Sequence, residues 1–164
     1  MIATCAALSS GCSLRGIAAR PAIGDSCLVG SWSLDHEVNR SGWSYSNIPV
    51  AVSGLAGARL TLGADGTETE LFTGSEPLSG TLADGRVLSI TLGGSFTFHF
   101  HADGRQYVET GSETALPVTA TLNGVAIAGY HGSYTPGSGT YTCSQRNLTT
   151  TTGSGVQIDS WVRN

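Results

Sequence analysis

Lysine is absent from this sequence. All eight basic residues are arginine, set against twelve Asp and Glu, for a net charge of −4. With no basic cluster, nucleic-acid binding has no electrostatic footing. Charged residues are only 12% of the chain and apolar ones 40%, so the sequence is too apolar for disorder. No segment keeps helical periodicity over three turns, and none is apolar for long enough to cross a bilayer as a helix. No C-x-x-C pair occurs, which argues against a structural zinc. No Gly-x-Ser-x-Gly elbow occurs, and Asp35 and His36 are adjacent, a poor geometry for a catalytic relay. No constellation demands an enzyme, and no cofactor is implied. What remains is a Thr-, Ser- and Gly-rich chain poor in helix formers, for which all-β is the default.

The turns are what the sequence states most clearly. Asp65-Gly66, Asp84-Gly85 and Asp103-Gly104 each follow an alanine at an even spacing of about 19 residues, and Asn123-Gly124 continues the series. These pairs favour two-residue type I′ turns, whose central residues both need φ > 0. The spacing suits one strand out, a second turn and one strand back. It predicts that all four turns sit at one end of an up-and-down antiparallel sheet, with Gly74 to Pro77, Gly93-Gly94 and Gly111 to Glu113 turning the chain at the other. Any binding function then falls at that other rim or inside. Residues 39–56 read as one long connection without strand alternation, in which Trp43 and Tyr45 either cap an open mouth or cover exposed sheet.

Period-two alternation supplies the core. Leu88, Ile90 and Leu92 share one strand face, and Phe96, Phe98 and Phe100 share another, with His99 and His101 opposite. A twisted sheet of eight to ten or more strands seldom stays open, so closure into a barrel is expected. Leu60, Leu62, Leu88, Ile90, Leu92, Phe96, Phe98 and Phe100 are then the candidates to line an apolar ligand pocket, or to fill the barrel with a dry core. Two histidines at i and i+2 suit a metal, but the polar face they share reads as solvent-facing. A third ligand from His36 or His131 cannot be placed nearby, so no metal site is expected. Glu68 and Glu70 read as solubility residues on the exterior.

Four cysteines stand at 5, 12, 27 and 143. A Cys27–Cys143 bridge would tie the start of the domain to its end and imply an oxidising, extracytoplasmic compartment; two buried thiols are the alternative. Residues 1–26 read as the remnant of an export signal, or a lipoprotein leader, followed by a flexible linker. Residues 27–164 read as the domain. Leu8-Ser9-Ser10-Gly11-Cys12 resembles a lipobox, although its leucine stands four residues before the cysteine where the usual spacing is three. Membrane attachment is expected only through lipid at Cys12.

Gly30-Ser31-Trp32 at the first strand and Arg163 at the last resemble the lipocalin and calycin superfamily, in which such a tryptophan closes one barrel end and a late arginine packs across its indole. A closer likeness is to lipocalin-like secreted actinobacterial proteins. It rests on Cys27 to Trp32, Gly54 to Gly66, Pro77 to Gly80 and Ser138 to Ser144, and covers roughly residues 27–163. The resemblance implies a calycin-type barrel, the Cys27–Cys143 bridge, and closure by Gly30, Trp32 and Arg163. The central Thr-Asp-Tyr motif of typical lipocalins is missing, so that group's receptor contacts do not carry over. Cys-x-x-Gly-x-Trp also resembles an avidin first strand, but the later avidin tryptophans are not matched. The expectation is a secreted, non-enzymatic barrel binding a small, mostly apolar molecule. The alternative is a protein-binding barrel, protease-inhibitor-like or envelope-associated, with no internal ligand.

Overall fold

The structure, a computed structural model, describes residues 24–54, 58–73 and 76–164, so residues 1–23 of the leader and linker, with the proposed lipidation site Cys12, lie outside the described residues. Fourteen strands follow in chain order. They are β1 (Gly30–Tyr45), β2 (Ile48–Gly54), β3 (Arg59–Leu62), β4 (Thr67–Thr73), β5 (Leu78–Thr81), β6 (Val87–Asp103) and β7 (Gln106–Thr110). Then come β8 (Thr114–Leu116), β9 (Val118–Leu122), β10 (Val125–Ile127), β11 (Gly132–Tyr134), β12 (Ser138–Cys143), β13 (Asn147–Thr152) and β14 (Gln157–Arg163). Among the described residues the only helical turn is a 3₁₀ turn at Gly153–Gly155. The chain is all-β, as its composition predicts.

Every pairing is antiparallel. The main path runs β6–β4–β3–β1–β14–β13–β12–β7, and β7 also pairs with β6. Eight strands on that path follow chain order, with β2, β5 and β8 to β11 set beside it. β2 and β5 bridge β1 to β6 in a second row, β9 and β10 extend from the first half of β6, and β8 and β11 form a separate small sheet.

Two expectations about the chain path are corrected. Over residues 39–54 the expected connection is strand: β1 runs on to Tyr45, reverses at Ser46-Asn47 with φ of 50° and 63°, and returns as β2. Gly93-Gly94 does not reverse the chain either. It lies inside the 17-residue β6, where Gly94 takes φ +84° and the strand changes partners, from β5 and β9 to β4 and β7. Because β6 passes straight through, the four turns divide between two ends. Asp65-Gly66 lies beside Asp103-Gly104, with the Phe100 N–H donating to the Gly66 carbonyl at 2.7 Å. Asn123 sits beside Val87, where the second pair gathers.

Trp32 and Arg163 are direct partners across β1 and β14, and the guanidinium lies 4.2 Å from the indole centroid. It donates to the carbonyls of Val29 (3.1 Å) and Cys27, while the Trp32 indole N–H donates to the Leu28 carbonyl at 2.9 Å. Gly30 is required here: at φ +142° a Cβ would stand 2.7 Å from Arg163 Nη1. Cys27 and Cys143 are bridged, with Cα atoms 6.1 Å apart. Arg163→Ala should therefore lower stability by about 0.5–2 kcal/mol in denaturant melts, and an unchanged midpoint would mean the stacked cation contributes nothing.

All eight predicted interior residues are buried, with Leu88 and Ile90 fully so. His99 and His101 are exposed on the opposite face. Glu68 and Glu70 correct the exterior reading: they are 4% and 5% exposed, on the inner face of β4.

Candidate functional site

Five carboxylates are buried inside this sheet: Glu37 on β1, Glu68 and Glu70 on β4, Glu109 on β7 and Asp159 on β14. Parity places most of them. Along a strand, i and i+2 share a face. Glu70 must therefore follow Phe72, Glu109 must follow Tyr107, and Asp159 must follow Trp161, all three of which are core aromatics. Glu37 arrives by a different route. Trp32 and Leu34 face inward, and the β1–β14 register slips between Leu34 and His36. That bulge leaves Asp35 and His36 both exposed and turns Glu37 inward, opposite Asp159.

The polar partners are few. Asp159 accepts from Gln157 Nε2 (3.1 and 3.3 Å) and from Thr150 Oγ1 (3.3 Å). Glu109 accepts the Gly137 N–H at 2.9 Å. Glu68 Oε2 is buried without any hydrogen-bond partner. Among the described residues the one Arg–carboxylate ion pair is Arg86–Asp84, on the surface, so no cation faces the cluster. Burial raises every one of the five pKa values. Glu37 is pushed up to about 8, by burial first and then by the charge of Asp159, against a hydrogen bond from Asn39. Asp159 is pushed up to about 7 by burial, opposed by its bonds from Gln157 and Thr150. Glu68 and Glu70 rise through burial and the charges of their neighbours, and Glu109 through burial.

The cluster lines two cavities. The larger, about 610 Å³, has Glu37, Glu70 and Glu109 with Phe72, Leu92 and Tyr134 among its walls, and the exposed or half-exposed Trp43, Ser44, residues 129–133 and Thr135 around its mouth. It lies where Asn39 pairs with Gln157, at the far end of the β1–β14 pairing from Trp32 and Arg163. Trp43 and Tyr130 face each other across 6.3 Å at an interplanar angle of 14°, and the Tyr130 hydroxyl donates to the Ser44 carbonyl at 2.9 Å. The smaller, about 20 Å³, is lined by Glu68, Asp159, Leu60, Leu62, Phe100 and Trp161 among others. That is room for about one water. Glu70, Glu109 and Tyr134 belong to both linings. Tyr134 is stacked on Phe96 with centroids 4.1 Å apart, and so stands as the partition.

Of the eight predicted pocket residues, Leu92 reaches the larger cavity and Leu60, Leu62 and Phe100 the smaller; Leu88, Ile90, Phe96 and Phe98 line neither. His131 lies on the lining of the larger cavity, while His99 and His101 do not. Among the described residues no group of three or more His, Cys, Asp or Glu is arranged to hold a metal ion. No protein-family model, curated protein or solved structure matches this chain.

Proposed function

We propose that the protein is an extracytoplasmic, calycin-type binding barrel that holds a small molecule with an apolar body in the cavity beneath Trp43 and Tyr130. The observation that carries this reading is the cavity itself: about 610 Å³, aromatic at its mouth and continuous with the buried face of the sheet. That volume is in the range of small-molecule sites, which combine apolar walls with a few fixed polar groups. Closure is supported by the pairing of β7 with both β12 and β6, which returns the eight-strand path to its start. Calycin-type closure is supported by the stacked Trp32–Arg163 pair at the end away from the mouth. The Cys27–Cys143 bridge fits an oxidising compartment.

Native mass spectrometry of protein recovered from its own host tests the reading. A small noncovalent adduct should accompany the chain. It should be lost in Ser133→Trp, which sets an indole at an exposed position on the cavity lining. A protein that co-purifies with the chain, with no small molecule in either form, would replace this reading with the protein-binding one.

A further inference from the structure

We propose that the ligand of this cavity is an organic cation, an alkylammonium or arylalkylammonium whose charged head sits among Glu37, Glu70 and Glu109 and whose body lies against Phe72 and Trp43. This rests on the cavity being a ligand site. It adds the charge of the occupant.

The argument starts from what the carboxylates lack. A buried carboxyl is ordinarily held by a cation or by several hydrogen bonds. Here the described arginines are engaged elsewhere: Arg163 lies on Trp32, Arg86 on Asp84, Arg40 against the Gly155 carbonyl, and Arg59, Arg105 and Arg146 are exposed. Glu70, which lines this cavity and is 5% exposed, receives no hydrogen bond that offsets its burial, and its strand neighbour Glu68, on the smaller cavity, has Oε2 buried without a donor. An anionic ligand would meet three carboxyls and no arginine on the lining. A neutral one could donate hydrogen bonds but would bring no charge to balance the acids as they ionise. A metal ion would need ligands gathered around one point, and these come from separate strands around a cavity without such a group. An ammonium head supplies a charge and donors that need no fixed geometry, and ring faces such as those of Trp43 and Tyr134 attract it further.

The titratable groups on the lining of this cavity are Glu37 from β1, Glu70 from β4, Glu109 from β7 and Tyr134 from β11, with Tyr130 and His131 just ahead of β11; Glu68, Tyr107 and Asp159 line the smaller cavity, which shares Glu70, Glu109 and Tyr134. Burial pushes Glu37 up to about 8 and raises Glu70 and Glu109 as well, so seating a cation among them should expel protons.

The experiment compares charged and neutral probes of one shape: phenethylamine against phenethyl alcohol, and pentanediamine against pentanediol, titrated calorimetrically into the full chain near pH 8. The amine of at least one pair should bind about tenfold or more tighter than its alcohol. Its apparent enthalpy should depend on the buffer, which reports proton release. Glu70→Gln keeps the side-chain shape and should erase the preference for the amine over the alcohol. Equal binding of amine and alcohol would overturn the cation while leaving the cavity reading in place. If neither member of either pair binds, the cavity reading falls and the cation with it.

Discussion

Raising the pH from about 5 to about 7 should make the ligand-free protein less stable, against the common pattern in which acid destabilises. The cause is the buried cluster. Glu37, with its pKa near 8, and Asp159, near 7, keep protons in the folded chain that the unfolded chain has already released. The folded state therefore binds more protons than the unfolded one throughout this window, and stability falls with pH by about 1.4 kcal/mol per unit for each proton of difference. One proton held across two units amounts to about 3 kcal/mol, or a loss of about 6–12 °C in melting temperature for a domain of this size. The contribution is fully present below the ordinary carboxylate range and gone above about pH 8. Asp65 and Asp84 shift the other way, but their lowered values act below this window. Glu37→Gln should flatten the slope, because Gln carries no proton to lose. Calorimetric melts at matched ionic strength measure it, and a melting temperature that rises from pH 5 to pH 7 would show that the cluster does not titrate as its burial requires.

The same cluster marks where sequence reasoning succeeds and where it stops. The phase of Phe96, Phe98 and Phe100 against His99 and His101 is legible because an unbroken strand has a fixed parity. Glu70, Glu109 and Asp159 were equally legible. Each stands two residues from an aromatic on its own strand, so an inward aromatic forces an inward acid. Reading charge as a mark of the surface conceals Glu70, and with it Glu68. Glu37 was not legible: the slip between Leu34 and His36 reverses parity, and nothing in Leu34-Asp35-His36 announces a bulge. The Asp-Gly pairs do mark chain reversals, but only Asn123-Gly124 has both residues at positive φ as a type I′ turn needs; at the three Asp-Gly pairs the glycine alone does, Asp103 is the last residue of β6, and the four reversals do not share one end. Gly93-Gly94 has the composition of a hairpin, yet tertiary pairing with β4 keeps the chain extended through it. Ser46-Asn47 turns the chain with two positive φ values and no glycine, so the β1–β2 hairpin carried no strong signal.

Opening the Cys27–Cys143 bridge should cost the fold more than any single surface change. The bridge spans 116 residues of chain, and a loop of that length stabilises by about 4–5 kcal/mol through the entropy it removes from the unfolded state. The paired Cys27→Ala and Cys143→Ala variant should melt about 8–20 °C lower than the parent. The bridge also has a local partner. Arg163 reaches the carbonyls of Cys27 and Val29, so the segment ahead of β1 is held by a covalent link on one side and a guanidinium on the other. Two clamps on one short segment are partly redundant, because either alone keeps the Leu28 carbonyl in place for the Trp32 indole. Adding Arg163→Ala to the cysteine variant should therefore cost more than the two losses summed, by about 0.5–3 kcal/mol. Hydrogen exchange at the Trp32 indole should speed up sharply only when both are gone. Simple additivity, with the indole protected throughout, would show that the two clamps act on separate parts of the fold.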